Sequence, residues 1–359
     1  MPLDDFMDRG GDTLRQAARW TKAAVDALSP PNVDRLNRRS ALQMCAAVAV
    51  DAGRSLFGGA LHQAGIAVFQ VASSYEREEP KTYPFWIAPS LPDEKRKEAV
   101  QQKLDELALS DPEIQRFVDA MGWKHTYDAM QPHAHDSAAA VGDYVRELLE
   151  WSELYRLANV LNETRYLMQG LQPILLRDGA LRFGTTASNI SEPLGKLFKN
   201  LDIPIFGVTK QSLLLRNPVI RLWLKKHKVL HDAGPFCVWM EAEEFEELGW
   251  RIERYFGKSG FRFGHYAIVR FDSLPGSADL FAVDVPDYLF SHDRDKVLVL
   301  LSGLIQQVSA TAYPVPGYPI ALRQAHNKVV ITGDRARMLE NSLRRGLPPE
   351  AYEFLQMLA

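Results

Sequence analysis

The chain has 359 residues, of which 46% are hydrophobic and 24% are charged. This composition is typical of a globular protein that is large enough for one large domain or two ordinary ones. The formal net charge of −3 excludes an overall basic field of the kind that attracts nucleic acid, although a local basic groove is sufficient to bind DNA.

Two features of the sequence bear on its location. The two cysteines, Cys45 and Cys237, do not form a CxxC pair, which is typical of a reducing compartment and excludes a zinc finger or a disulfide framework. The charged N-terminal stretch 1–19 lacks the apolar core of a secretory signal, and no apolar run has the length of a membrane span. We therefore expect a cytoplasmic protein without a membrane segment.

The first part of the chain predicts a helical extension followed by a hairpin. Residues 1–40 are mixed in charge and helix-prone, with a break at Ser29-Pro30-Pro31. The apolar run 44–51 predicts a strand that ends at Asp51, and residues 65–71 predict its antiparallel return strand. Charged, helix-prone residues over 75–140 predict a helical insertion between elements of the sheet, and residues 138–168 predict one long amphipathic helix.

The second part of the chain predicts further strands and helices. Residues 174–176 form a strand that carries Asp178, and residues 203–208 form a strand that leads to Lys210. Residues 211–231 predict a basic helix, and residues 236–240, 266–271 and 280–285 predict three strands. Residues 298–310 predict an apolar helix, and residues 314–319 form a proline-fixed loop. Residues 321–331 predict a helix that carries His326, and residues 334–359 predict a C-terminal helical tail. Together these elements predict a mixed α/β sheet with flanking helices.

Asp51 and Asp178 each follow a buried strand. If the two strands are neighbours, they lie about 4.8 Å apart. Two carboxylates at such a separation repel each other unless a divalent cation or a shared proton lies between them. The pair therefore favours metal-dependent chemistry, of which phosphodiester hydrolysis is a common form.

The chain order of these residues resembles the ribonuclease H-like fold: an aspartate on the first strand, a glutamate on a helix, an aspartate on a later strand and a polar ligand on a late helix. Within that fold the sequence resembles the NurA nuclease family. The stretches that carry the resemblance are Ala49–Ser55, Leu175–Leu181, Phe206–Lys210 and Gly317–His326. The family shows Val-Asp-Gly-Ser, apolar-Asp-Gly-x-Leu, a strand ending in lysine, and Gly-Tyr-Pro…Ala-His at these places. Ala52 departs from the family's usual glycine.

The resemblance implies a NurA-like nuclease domain over 41–333, a catalytic metal site and a set of partners. Asp51, Asp178 and His326 match the metal ligands, which would hold Mn²⁺ or Mg²⁺. The helix glutamate is Glu150, which shares a stripe with leucines that should face the sheet. The alternatives are Glu147 one turn earlier and Glu153 on a different stripe.

The resemblance also implies that the protein is a homodimeric DNA nuclease that works with a HerA-like hexameric ATPase in processing DNA ends. For contacts with the nucleic acid we consider Lys210 at the end of its strand, Tyr318 in the proline-fixed loop, and Arg54 close to Asp51. Lys210 could contact a phosphate or stabilise the metal-bound carboxylates, and Tyr318 could stack on a base.

Each of these residues also has a structural interpretation. Asp51 and Asp178 could bond to the amides of ordinary turns, His326 and Tyr318 could be packing residues, and Lys210 could be a surface lysine. The whole chain could be a catalytically silent scaffold or regulatory subunit of an ATPase complex. It could also be a ribonuclease H-like nuclease that acts on RNA or on a hybrid.

Overall fold

The computed structural model describes most of the chain. The described residues are 3–36, 45–57, 59, 61, 64–75, 79–86, 91–131, 134–168, 170–181, 191–210, 213–231, 234–240, 264–271, 280–290, 293–305 and 316–358. Among them no helix is both long and apolar enough to cross a membrane.

A mixed sheet of nine strands forms the centre of the described structure. In chain order, β1 to β9 span Val33–Arg35, Cys45–Leu56, Ile66–Ser73, Lys81–Trp86, Gln172–Asp178, Ile205–Thr209, Phe236–Met240, Gly264–Arg270 and Phe281–Pro286. Their order across the sheet is β1-β7-β8-β9-β6-β5-β2-β3-β4. The central strands β2, β5 and β6 are parallel to one another, and the other pairs are antiparallel.

Helices cover the sheet. In chain order, α1 to α12 span Leu3–Ala27, Asp93–Ser110, Pro112–Ala120, Ala138–Glu163, Ser191–Leu201, Leu213–Arg216, Pro218–Lys226, Asp287–Phe290, Arg294–Ile305, Ile320–Val329, Gly333–Gly346 and Pro349–Leu358. The predicted mixed α/β sheet with flanking helices is confirmed. The strand that carries Asp51 is adjacent to the strand that carries Asp178, as the ribonuclease H-like arrangement requires.

The strand β2 is longer than its sequence pattern predicts. Its parallel pairing with β5 ends at Val50 opposite Arg177, but its antiparallel pairing with β3 continues to Leu56. Asp51 is therefore not at the end of β2. It is the first residue beyond the paired stretch of β2 and β5, and at this position only the antiparallel strand β3 still pairs with β2.

Two apolar layers lie on opposite faces of the sheet. Val48 and Val50 belong to the layer that includes α2, α3, α4 and α5. Ala49, Ile174 and Leu176 belong to the layer on the other face, with α9 and α10. Successive side chains of a strand point to opposite faces. The alternation therefore places Asp51 and Asp178 on the α10 face and Arg177 on the α4 face.

Two strands occur where the sequence favours helix. Val33–Arg35, within the predicted N-terminal extension, forms β1, because it pairs with β7 at the edge of the sheet. Lys81–Trp86, within the predicted insertion over 75–140, forms β4 by pairing with β3. The helices α2 and α3 also lie within that insertion. Pairing with a distant strand overrode the local preference in both cases.

The late elements agree with the prediction where the structure describes them. Helix α10 is the predicted helix that carries His326, and α11 and α12 form the predicted C-terminal tail, in which Leu355 packs against Phe57 and Leu61. The predicted helix over 298–310 and the loop over 314–319 lie partly outside the described residues.

Candidate metal centre

Three side chains from separate elements converge at the end of the parallel pair β2 and β5. Nδ1 of His326 lies 2.8 Å from Oδ2 of Asp51 and 3.6 Å from Oδ2 of Asp178. One potential ligand atom from each of the three residues lies within 4.8 Å of the other two. The structure therefore brings together three of the four residues that the sequence predicts as metal ligands.

Two glycines allow this convergence. Gly179, directly after Asp178, has a φ of 127°, a backbone conformation that glycine adopts readily and other residues rarely do. A Cβ atom at Gly53 would lie 2.1 Å from the carbonyl oxygen of Val329, so only a glycine lets the end of α10 lie against β2. Helix α10 in turn carries His326 over Asp51.

Burial dominates the electrostatics of Asp51. Its side chain is only 6% exposed, and this burial raises the pKa of Asp51 to about 7, with further increases from the charges of Asp178 and Glu150. The hydrogen bond from His326 acts in the opposite direction and favours the carboxylate. The carboxyl group is therefore poised to exchange a proton for a cation near neutral pH.

Asp178 has a different partner. Nζ of Lys210 lies 2.7 Å from Oδ2 of Asp178 and 4.9 Å from the centroid of the Tyr318 ring. The lysine predicted to contact a phosphate is therefore held between a carboxylate and an aromatic face. In this position it balances part of the negative charge of the site.

Tyr318 is fully buried, and its ring stacks on Phe281 with a centroid separation of 5.7 Å. The ring consequently has no face for a base, and the predicted stacking is replaced by packing beneath the site. Burial raises the pKa of Tyr318, as do the charges of Asp178 and Asp51. Among the described residues, its buried hydroxyl has no hydrogen-bond partner in good geometry, although Asp178 lies near it.

Glu150 lies close to this site but is held by two arginines. Its Oε2 accepts hydrogen bonds from Nε and Nη2 of Arg177 at 2.9 and 2.5 Å, and its Oε1 accepts one from Nη1 of Arg146 at 3.2 Å. Burial raises the pKa of Glu150, while the two arginines lower it. The structure does not bring Glu150 into the group formed by Asp51, Asp178 and His326. The reason is the alternation along β5, which directs Arg177 towards α4 and Asp178 away from it.

The two alternative glutamates do not join the group either. Glu153 makes a paired contact with Arg156, at 3.0 and 2.7 Å, and lies 3.7 Å from Lys81. Glu147 is buried one turn before Glu150, and its charge contributes to raising the pKa of Arg146.

A cleft of about 260 Å³ opens beside the three converging residues. Its lining includes Asp51, Asp178 and His326 together with Arg54 and Arg146. Arg54 is one of the residues predicted to contact nucleic acid. The sequence reasoning missed Arg146 and Arg177. A signal for Arg146 was its position one helical turn before Glu150, where opposite charges commonly pair.

Two solved structures are similar to the structure of this chain. No family model and no curated protein sequence matches this chain. The NurA nuclease from Sulfolobus solfataricus has a similar structure, with a TM-score of 0.42, 13% identity and coverage of 97% of this chain and 99% of that one. Human ENDOV is also similar, with a TM-score of 0.32, 14% identity and coverage of 91% and 99% respectively.

The family indicated by the sequence motifs is thus also represented among the similar structures.

The residues present fit a divalent cation. Two carboxylates supply the hard oxygen ligands that such ions prefer, and an imidazole adds a nitrogen. Burial raises the pKa of Asp51 most, and the negative charges of Asp178 and Glu150 raise it further. A cation beside the carboxylates offsets this repulsion between like charges. The buried hydroxyl of Tyr318 is a further polar atom near these ligands. Asp51, Asp178 and His326 would hold the ion.

Proposed function

We propose that the protein is a metal-dependent nuclease that hydrolyses phosphodiester bonds of DNA. The observation that carries the proposal is the convergence of Asp51, Asp178 and His326 on one point, with ligand atoms within 4.8 Å of one another, in an open cleft whose lining also contains Arg54 and Arg146. Clustered ligands for a cation beside positively charged groups suit a polyanionic substrate.

Each residue has a distinct part in this chemistry. Asp51 and Asp178 supply carboxylate oxygens, and the contact of 2.8 Å between His326 and Asp51 fixes the orientation of both side chains. Lys210 holds Asp178 in place from the other side. A bound divalent ion supplies the positive charge that makes a water more acidic and offsets negative charge at the phosphate. In an alternative role, the imidazole of His326 would transfer a proton in the reaction instead of binding the ion.

The finer parts of the proposal come from the motifs shared with the NurA family. They are DNA as the substrate, DNA end processing as the process, a homodimer, a HerA-like ATPase as the partner, and a cytoplasmic location. For the ion we propose Mn²⁺, with Mg²⁺ as the alternative, because both ions suit carboxylate ligands.

A second candidate function is a catalytically silent subunit of an ATPase complex. The observation that favours it is that the carboxylates of Asp51, Asp178 and Glu150 already have partners within the protein. Lys210 lies 2.7 Å from Asp178, His326 lies 2.8 Å from Asp51, and Arg146 and Arg177 hold Glu150. Protein cations could thus balance the site permanently.

Cleavage of labelled single- and double-stranded DNA by the purified protein tests the nuclease, with Mn²⁺ or Mg²⁺ and with or without its ATPase. We expect cleavage with Mn²⁺, and loss of cleavage in Asp51→Asn with the fold retained. The matched control is Asp26→Asn, since Asp26 is a carboxylate paired with Lys226 on the surface. Intact DNA under all these conditions would refute the nuclease.

Metal titration separates the two candidates. A nuclease should bind Mn²⁺ tightly, and Mn²⁺ should raise the melting temperature of the wild-type protein but not that of Asp51→Ala. A silent subunit should show no tight divalent site, and the two proteins should respond alike to Mn²⁺.

A further inference from the structure

The side chain of Arg54 lies against the first turns of helix α4, next to Gly142. Nη1 of Arg54 donates a hydrogen bond to the carbonyl oxygen of Ala139 at 3.0 Å and lies 3.2 Å from Asp143. A Cβ atom at Gly142 would lie 2.4 Å from the same Nη1. Gly142 therefore leaves room for the guanidinium of Arg54, and the contacts with Ala139 and Asp143 hold it against the helix.

One turn further along the same helix, Arg146 is held by a buried carboxylate. Nη1 of Arg146 donates to the fully buried Glu150 at 3.2 Å, while 32% of the arginine side chain stays exposed. Glu150 is itself fixed by Arg177, whose guanidinium lies 5.0 Å from the centroid of the Trp151 ring. The charge of Glu150 is also the main cause that raises the pKa of Arg146. Arg146 is thus a permanent cation whose guanidinium has a fixed orientation.

Both arginines line the cleft that contains the candidate metal ligands. A guanidinium carries several N–H donors in a planar fork that matches two oxygens of a phosphate. An arginine anchored through one of these donors keeps others for a ligand. Two anchored guanidiniums at the side of a carboxylate-lined cleft are therefore suited to hold a phosphate group while the carboxylates hold a cation.

We propose that Arg54 and Arg146 form a phosphate-binding pair for the nucleic-acid strand, and that Glu150 is the positioning residue of Arg146 instead of a metal ligand. This inference rests on the proposed function for the identity of the strand, but the phosphate-binding pair can be tested without turnover. Its direct consequence is that strand binding and metal binding depend on different side chains of one cleft.

Binding of a short fluorescein-labelled oligothymidine, measured by fluorescence anisotropy with EDTA present, isolates the phosphate contact from catalysis. We expect Arg146→Gln to weaken binding roughly 10- to 100-fold, which is the usual loss for a charge-assisted hydrogen bond. The slope of log K against log salt should become shallower by roughly 0.7, the value for one phosphate contact with a single strand. Arg146→Lys should restore the slope but only part of the affinity.

A matched control comes from α3, where Arg116 pairs with Glu113 at 2.8 Å on an exposed surface. Arg116→Gln removes the same charge and should leave both affinity and salt slope unchanged. The affinity for Mn²⁺, measured by calorimetry, should not fall in Arg146→Gln, because the phosphate-binding pair does not ligate the ion.

Gly142→Ala tests the geometry of Arg54 without changing any charge. The added methyl group must displace the flexible guanidinium of Arg54, and alanine at the same time favours the helix. We expect weaker binding of the oligothymidine, by roughly 10-fold, with a melting temperature that is unchanged or higher. Gly195→Ala is the control, because a Cβ atom there meets nothing within 4 Å.

Glu150→Gln tests the positioning role. The variant should keep its affinity for Mn²⁺ and raise KM for DNA more than it lowers kcat, whereas loss of a metal ligand would remove both Mn²⁺ binding and kcat. If Glu150→Gln fails to fold because two buried arginines lose their counter-charge, Gly142→Ala and Arg146→Lys still decide the phosphate-binding pair.

The outcomes separate the inference from the proposed function. Cleavage of DNA by the wild type, with unchanged binding and salt slope in Arg146→Gln and Gly142→Ala, overturns the phosphate-binding pair and leaves the nuclease standing. Oligothymidine binding that depends on Arg146, without any cleavage of DNA, supports the pair and refutes the nuclease. Equal weakening by Arg116→Gln also overturns the pair, because it shows a general loss of charge.

Discussion

Nδ1 of His326 lies 2.8 Å from Oδ2 of Asp51, although the two residues are 275 positions apart in the chain. Helix α10 supplies the histidine and the centre of β2 supplies the carboxylate. Their contact depends on Gly53, at which the carbonyl oxygen of Val329 closely approaches β2. The candidate metal centre is thus a property of how α10 packs on the sheet.

Replacing the histidine should weaken the metal site. In His326→Ala the imidazole nitrogen is lost while both carboxylates remain. Outer partners of metal ligands typically contribute roughly 10- to 100-fold in metal affinity, and a direct ligand should contribute at least as much. Calorimetric titration with Mn²⁺ measures the effect. His265→Ala, which removes a histidine paired with Asp287, should leave the Mn²⁺ affinity unchanged. Equal affinities in all three proteins would exclude His326 as a ligand.

Gly53→Ala should damage both stability and the site. The new methyl group would meet the backbone of α10, which cannot move aside as a flexible side chain can. Overpacking of this kind costs about 1–3 kcal/mol in the free energy of unfolding, and displacement of α10 should carry His326 away from Asp51. Urea denaturation and Mn²⁺ titration measure the two effects. A variant as stable as the wild type, with full Mn²⁺ affinity, would contradict the close approach.

Lys210→Met should tighten the binding of Mn²⁺. The ammonium group of Lys210 lies 2.7 Å from Asp178. It therefore competes with the metal ion for that carboxylate, and its positive charge repels the ion. Two unit charges 4 Å apart interact by about 4 kcal/mol at an effective dielectric constant of 20, and even after partial screening we expect an increase of roughly tenfold or more. Lys210→Arg keeps the charge and is the control. Weaker Mn²⁺ binding in Lys210→Met would show that the lysine supports the ion.

The stability of the metal-free protein should depend on the protonation of Asp51. Its pKa is raised to about 7 in the folded protein, against about 3.9 in an unfolded chain. Between these values Asp51 binds more protons in the folded protein than in the unfolded chain, so its contribution to the free energy of unfolding falls as pH rises. The slope is at most about 1.4 kcal/mol per pH unit.

Urea denaturation in EDTA at several pH values between about 4 and 7 checks this slope, and Asp51→Asn should be markedly less sensitive to pH in that window. An equal slope in the wild type and in Asp51→Asn would contradict the raised pKa of Asp51.

The sequence determined the main elements of the sheet and three residues of the candidate site. Apolar runs that lead to Asp51 and Asp178 predicted buried strands, because strands buried on both faces are nearly continuous hydrophobic runs. The amphipathic pattern over 138–168 predicted most of α4. These signals are local, since hydrophobic periodicity is set by neighbours along the chain.

The tertiary structure decided which face of the sheet each charge occupies. The register of β5 directs Asp178 towards α10 and the adjacent Arg177 towards α4, where it captures Glu150. A stripe of glutamate and leucine on α4 showed that Glu150 faces the sheet but not which charge it meets there. The edge strands β1 and β4 likewise depend on distant partners. Pairing across the sheet is a long-range interaction, and the local sequence pattern does not encode its register.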